Sequence, residues 1–256
     1  MNGRTFVAAA VASAALGLAS AGCVSFYDVV VETPILAKID TSPFQRVMVY
    51  GFVSGGSNDI DPNSETVRLL RSQLRTRGDM RVVDADAVVL VDVVDRRNGV
   101  TPPEQVDPEA PPRLQTEDDL EPYEAIFDDA EYWRRIGQDN QGPLIVTGSI
   151  LFREVAESGI RSRPVEFIDE AGRVTVQEER GFVDMQGYSI TPTFVFIDGR
   201  TGELLHSETF HEEALYSSSQ TTPALSSYFE LMDKLLPSFL NTLNTQRIRG
   251  TRTLLK

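Results

Sequence analysis

His206 and His211 are the only imidazoles in the chain, and a histidine pair is a natural starting point for metal chemistry. A spacing of five along one strand sends the two side chains to opposite faces, which is wrong for two ligands of one ion. Asp59-Ile60-Asp61-Pro62-Asn63 imitates the opening of a calcium loop. Ser64, however, stands where the loop needs Gly, and Leu70 stands where it needs a bidentate Glu. Gly55-Gly56 falls between an apolar run and an amphipathic one, the place for a phosphate-binding loop, but neither Gly-Lys-Ser/Thr nor GxGxxG follows. Ser149 lacks the second glycine of a nucleophile elbow and sits within a strand pattern. The pattern calls for no cofactor, no metal and no catalytic residue. Arg68, Arg71 and Arg75 form one stripe of an amphipathic segment, away from Leu70 and Leu74. Such a stripe either meets a phosphate-bearing lipid or an acidic partner, or forms a solvated face balanced by acidic surroundings.

One reactive group remains, the lone cysteine Cys23. Arg4 supplies a short positive start, Phe6 to Leu18 is apolar and Ala-rich, and Ala21-Gly22-Cys23 closes the segment with small residues, the layout of a secretory signal over residues 1–22. The apolar stretch is short for a membrane span. Ala21-Gly22-Cys23 resembles the lipobox of bacterial lipoproteins, with Ser20 where Leu is more usual. The resemblance implies acylation of Cys23, which becomes the mature N-terminus. Acyl chains contribute about 0.8 kcal/mol per buried CH₂, so several chains on one cysteine anchor a protein without a spanning helix. The sorting rule that comes with the resemblance retains at the inner membrane a chain with Asp after the cysteine. Val24 stands there, which implies the periplasmic face of the outer membrane.

The rest of the chain must be positioned by its own packing. A net charge of −14 argues against nucleic acid as a partner. Residues 23–43 read as an extended tether, with scope for an edge strand. The organising unit is Gln45 to Leu74: a β-branched run with Val47, Val49 and Phe52, a Gly-rich turn, then a helix. Asp61-Pro62 is the helix start, and Val67, Leu70 and Leu74 are its buried stripe. Gly78 is placed to end it. Met80–Val83 is a short strand, and Ala87–Val94 is strand or buried helix. Residues 101–122, rich in Pro, Asp and Glu, read as an exposed, flexible acidic insertion, either a docking segment for a basic partner or a solvated loop. Ala130–Gly137 reads as a short helix and Pro143–Val155 as a central strand. Pro164–Ile168 with Val174–Glu178 forms a short hairpin. Tyr188–Ile197 with Glu203–Phe210 forms a second around Asp198-Gly199-Arg200-Thr201-Gly202. Pro223–Leu243 is a closing helix that Pro237 should kink or divide. Residues 247–256 form a loose basic tail. The order predicts a single α/β domain over 44–246, a mixed sheet flanked by helices.

In this order the run from Arg46 to Val83, then PLIVTGSI (Pro143–Ile150), TFVFIDGRTGELLHSE (Thr193–Glu208) and the closing helix is similar to a periplasmic fold. That fold is shared by the amino-terminal domain of TolB, the curli-secretion lipoprotein CsgG and the penicillin-binding-protein activator LpoB. The acidic insertion and the hairpin around Gly172 lie outside the shared pattern. The resemblance implies a non-catalytic binding or assembly role in the cell envelope, with membrane lipid and another envelope protein as partners, by analogy of fold. The alternative is a subunit of an oligomeric, CsgG-like secretion channel. A spanning strand needs about 9–11 residues with an apolar lipid-facing side, and the Pro164–Glu178 hairpin reads as too short and too charged.

Overall fold

A computed structural model describes residues 26–77, 79–101, 112–168, 172–220 and 222–255. The expected signal segment, Cys23 and Gly78 lie outside them. The chain divides into two units, one formed by both ends of the chain and the other by Ala37–Asn244.

In the larger unit, β2 (Arg46–Gly55) lies within a mixed sheet, parallel to the short edge strand β3 (Arg81–Val82) on one side and to β4 (Leu144–Ile168) on the other. β5 (Val174–Asp198) runs antiparallel to β4. β6 (Leu204–Thr209) and β7 (Glu212–Ser217) follow one another along the far edge of β5. Helices cover both faces of the sheet. On one face α1 (Pro62–Arg77) and α5 (Ala224–Leu243) bury Val47, Val49, Phe52, Val146, Phe152, Phe194 and Phe196. On the other α2 (Leu90–Arg97), α3 (Glu117–Glu124) and α4 (Ala130–Asp139) enclose Met48, Val53, Ile145, Leu151, Val195 and Trp133. The two-sided burial explains why β2 reads as continuously apolar.

β2 is not regular. The pairing with β4 shifts register between Val49 and Phe52, and the extra residue reverses the alternation, so that odd positions face α1 before the bulge and Phe52 faces it afterwards. Two buried side chains, Asn63 and Thr147, fix the bulge through three hydrogen bonds. The Phe52 N–H donates to Asn63 Oδ1 (2.8 Å), Asn63 Nδ2 donates to the Val88 carbonyl (3.3 Å), and Thr147 Oγ1 donates to the Gly51 carbonyl (2.6 Å). Asn63 can do this because Asp61 starts α1 as expected, accepting from the Ser64 N–H at 3.2 Å. The Asp198–Gly202 hairpin turn is also as read. Asp198 Oδ1 accepts from the Arg200 N–H at 2.8 Å, and Gly202 takes φ +81°, where an L side chain is strained.

Several expectations are corrected. Ala87–Val94 resolves as helix α2 from Leu90 onward. Residues 37–43 belong to the larger unit and not to a tether, because Ile39 is buried in the core and the Lys38 and Ile39 N–H groups both donate to the Thr242 carbonyl at 3.1 Å. Within the expected flexible insertion, residues 112–122 are built in: Leu114 and Leu120 are buried, and Thr116 and Asp119 form a capping box at the start of α3. Residues 102–111 lie outside the described residues. α5 continues through Pro237, which sits on its exposed side, so the Asp233 carbonyl that loses its donor is on the solvent side. Most consequential, Pro143–Val155 and the short Gly172 hairpin are parts of one structure. β4 and β5 pair without interruption from Leu144↔Asp198 to Ile168↔Val174.

In the terminal unit, β1 (Phe26–Ile35) pairs antiparallel with β8 (Gln246–Leu255), from Phe26↔Leu255 to Ile35↔Gln246. The basic segment is therefore a paired strand and not a loose tail.

Asn63→Ala would strand the buried Phe52 N–H and the Val88 carbonyl at about 1–3 kcal/mol for each group left unpaired. A loss of that order should appear as a lower urea midpoint with an unchanged slope, and an unchanged midpoint would show that the bulge is held without Asn63.

Candidate interaction surfaces

The arginine stripe occupies one face of α1, but its members have partners within the chain. Arg68 pairs with Glu65 and lies 5.8 Å from the Phe229 ring. Arg75 pairs with Asp84. Arg71 is half-buried and its Nη2 donates to the Val49 carbonyl at the bulge (2.7 Å). Burial lowers its pKa, with Asp84 acting in the opposite direction. Arg71 thus fastens α1 to β2.

The structure does not bring the other chemistry-bearing residues together. His206, on β6, has its ring tilted by 34° to that of Phe196 on β5, 6.1 Å between centroids, while His211 follows the break after β6 and its Nδ1 lies 2.9 Å from Thr191 Oγ1. Ser149 is buried mid-strand and donates to Glu124 Oε1 at 2.5 Å. Asp59 and Asp61 serve the turn and the helix cap. Among the described residues no group of three or more His, Cys, Asp or Glu is placed to hold a metal ion.

One cluster escaped the sequence reading. Asp95, only 3 % exposed, receives Arg113 Nη1 at 2.8 Å and Nη2 at 3.3 Å, and the Tyr123 hydroxyl at 3.2 Å. The cluster ties α2 to the segment that leads into α3. Beside it a cleft of about 530 Å³ opens between the β2–α1 turn and α2, lined by Gly55, Ile60, Asp61, Val91, Asp92 and Arg113. A second cavity, about 470 Å³, lies where the long hairpin leaves the sheet, among Glu154, Gln186, Tyr188, Tyr216 and Gln220.

The largest exposed feature is that hairpin. β2 pairs with β4 no further than Leu151, and β7 reaches β5 only from Met185 onward. In the sheet ladders Ser158–Ile168 and Val174–Asp184 therefore pair with one another alone among the described residues, with the Asp184 carbonyl at the base also accepting from the Ser218 N–H at 3.0 Å. At about 3.4 Å per residue, the arm extends roughly 40 Å. Among the described residues no strand pairs with its two outer edges, which leaves a template for a further strand. One face carries Ile160, Ile168, Val174, Val176 and Phe182, all more than half exposed. The same face carries Glu166, Glu178, Arg180 and Asp184, and the other carries Glu157, Arg163 and Glu179. Arg163 and Glu179 are directly opposite and paired at 2.6 Å. The sequence signal for this arm was weak because charges interrupt the apolar residues on both faces, and strand patterns are recognised by an apolar face made for burial.

No family model and no curated protein matches this chain. Solved structures that it is similar to include lipoprotein GNA1162 from Neisseria meningitidis, at 12% identity over 77% of this chain and 98% of that one, with a TM-score of 0.33. The LpoB C-terminal domain from Salmonella enterica aligns at 12% identity over 70% and 84%, TM-score 0.28. A neuraminyllactose-binding hemagglutinin homolog from Helicobacter pylori aligns at 11% identity over 80% and 84%, TM-score 0.28. Among these are a bacterial lipoprotein and an LpoB domain. The fold class itself, a mixed sheet flanked by helices, is as the sequence reads.

The hydrogen bond from Arg113 holds the Asp95 carboxyl below its usual range, against the opposing effect of burial. A depressed folded value means that this stabilisation is present above the unfolded value of about 3.9 and is lost as pH falls through the folded one. Asp95→Asn should cost about 1–3 kcal/mol at neutral pH. Its difference from the parent should shrink in unfolding curves taken below the ordinary carboxylate pKa. An equal difference at both pH values would remove the linkage.

Proposed function

We propose that this chain is a lipid-anchored protein of the bacterial envelope, held through acylated Cys23 on the periplasmic face of the outer membrane. It acts without catalysis by binding another envelope component. The observation that carries the reading is the projecting β4–β5 arm. It places two free strand edges and a row of exposed apolar side chains, Ile160 and Phe182 among them, beyond the packed core. Such an arm suits recognition by strand addition, in which backbone hydrogen bonds supply affinity and alternate side chains supply selectivity. The residues that might have carried chemistry are occupied elsewhere: Ser149 with Glu124, Arg71 with the β2 backbone, Asp61 with the start of α1.

A second reading, a subunit of an oligomeric secretion channel, gains from the length of the arm. Eleven residues per strand, Ser158–Ile168 and Val174–Asp184, reach the 9–11 that a spanning strand needs, so length no longer counts against this reading. Charge now decides between the readings. Glu166, Glu178, Arg180 and Asp184 lie among the apolar residues of one face, and Glu157, Arg163 and Glu179 lie on the other. Neither face offers an unbroken lipid-facing band, and a charged side chain on such a face costs about 2–4 kcal/mol at the midplane for Arg or Lys. The arm is better suited to an aqueous compartment.

The native mass of the lipidated protein after mild detergent extraction separates the two readings. A monomer or dimer is expected. A closed ring of many copies would replace the accessory reading with the channel.

A further inference from the structure

The terminal unit is a two-stranded ribbon, an architecture that is marginal in water by itself. Its register sorts the side chains into two unlike faces. On one lie Phe26, Asp28, Val30, Glu32 and Pro34 with Arg247, Arg249, Thr251 and Thr253. The polar pairing runs across this face: Thr253 Oγ1 donates to Asp28 Oδ1 at 2.7 Å, Arg249 Nε lies 2.6 Å from Glu32 Oε1, and Arg247 Nη1 lies 3.9 Å from Glu32 Oε2. The opposite face carries Val29, Val31, Thr33 and Ile35, with Gly250, Arg252 and Leu254 across from them. Val31, Ile35 and Leu254 are about two-fifths exposed.

What covers this apolar face follows from its place in the chain. Only Val24 and Ser25 separate Cys23 from the first residue of the ribbon, so at no more than about 3.6 Å per residue the two are within roughly 11 Å. On the reading that Cys23 carries acyl chains, one end of the ribbon is fixed at the lipid surface. We propose that the β1–β8 ribbon is a membrane-contact element that lies against the phospholipid surface by its Val29–Val31–Ile35–Leu254 face. The paired face, with Asp28, Glu32 and Arg249, then meets water. Arg252, the one charged residue on the apolar face, has a long apolar stem that lets its guanidinium reach the phosphate layer while the stem stays with the acyl chains. The arrangement gives the protein a second hold on the membrane, as stable anchoring by lipidation commonly requires.

Cys23 is the only cysteine, and acylation would block its thiol, so introduced cysteines can be labelled alone. The full lipidated chain carrying V31C, I35C or V30C, labelled with an environment-sensitive fluorophore, is reconstituted into vesicles of phosphatidylethanolamine and phosphatidylglycerol that contain a bilayer-depth quencher. Positions 31 and 35 should be quenched severalfold more than position 30. Equal quenching at 30 and 31, or none at 31, overturns the proposal while leaving the anchor intact. A label at 31 that is shielded without lipid quenching, in a protein of dimer mass, overturns it in favour of a second copy. Intact mass checks the premise separately: an unmodified Cys23 overturns the anchoring reading, and the proposal with it.

Discussion

Everything in the larger unit is referred to the β4–β5 ladder. Its twenty-five successive pairs run without a bulge from Leu144↔Asp198 to Ile168↔Val174, so the sheet core and the projecting arm share one backbone frame. The ladder begins where packing is closest. Gly148 takes φ +146°, and a Cβ there would meet the Thr193 carbonyl oxygen at 1.7 Å, so any other residue would push the two strands apart. Along the same ladder the environment changes completely. Ile145, Val146, Phe194 and Phe196 are buried under helices, while Ile160 and Phe182 stand in the open. An unbroken hydrogen-bond ladder transmits the rigidity of the first region into the second, which packing alone would not order.

The bulge in β2 solves a different problem. A strand covered on both faces must offer the right residue to each layer, and a single-residue slip reverses all of them. The bulge uses that reversal by design: Val47 and Val49 face α1 before it and Phe52 after it, while Met48 and Val53 serve the opposite layer. The backbone groups that it disturbs are those taken by Asn63, Thr147 and Arg71. Arg71 therefore illustrates how a charged stripe on a helix can be mistaken for a binding surface. Its value here lies in a buried carbonyl.

What could be read from the sequence was what local chemistry dictates. Asp61-Pro62 starts a helix for reasons contained in those two residues, and Asp198–Gly202 turns because Asp198 holds its own backbone and Gly202 accepts a positive φ. The elements that were misread are those whose order comes from distant partners. β8 is a strand because β1 lies beside it. Residues 37–43 are fixed by α5, two hundred residues away in sequence, and α3 is fixed by Leu114 and Leu120 entering a core assembled from other elements. The middle of the arm, Glu157–Arg163 with Glu179–Asp184, has no buried face at all, so hydrophobic alternation could not announce it. The Asp95–Arg113–Tyr123 cluster spans a composition shift that reads as disorder, and only folding brings the arginine to the buried carboxylate.

The two exposed β-ribbons differ in a way that bears on what each can do. In the arm, charges of both signs lie on both faces, so turning either face toward hydrocarbon would bury several of them and offset much of what its apolar residues gain. Its unused capacity is in the strand edges, which recognise backbone and so favour another polypeptide. In the terminal ribbon the pairs of Glu32 with Arg247 and Arg249 lie on one face, and Val29, Val31 and Ile35 lie on the other with Arg252 as its one charge, so that face can leave water at little electrostatic cost. Of the two, only the terminal ribbon starts within three residues of the cysteine expected to enter the bilayer. Polar–apolar sorting and chain position thus both favour the proposed lipid contact for the ribbon and the proposed protein contact for the arm, a division of labour that neither feature would support alone.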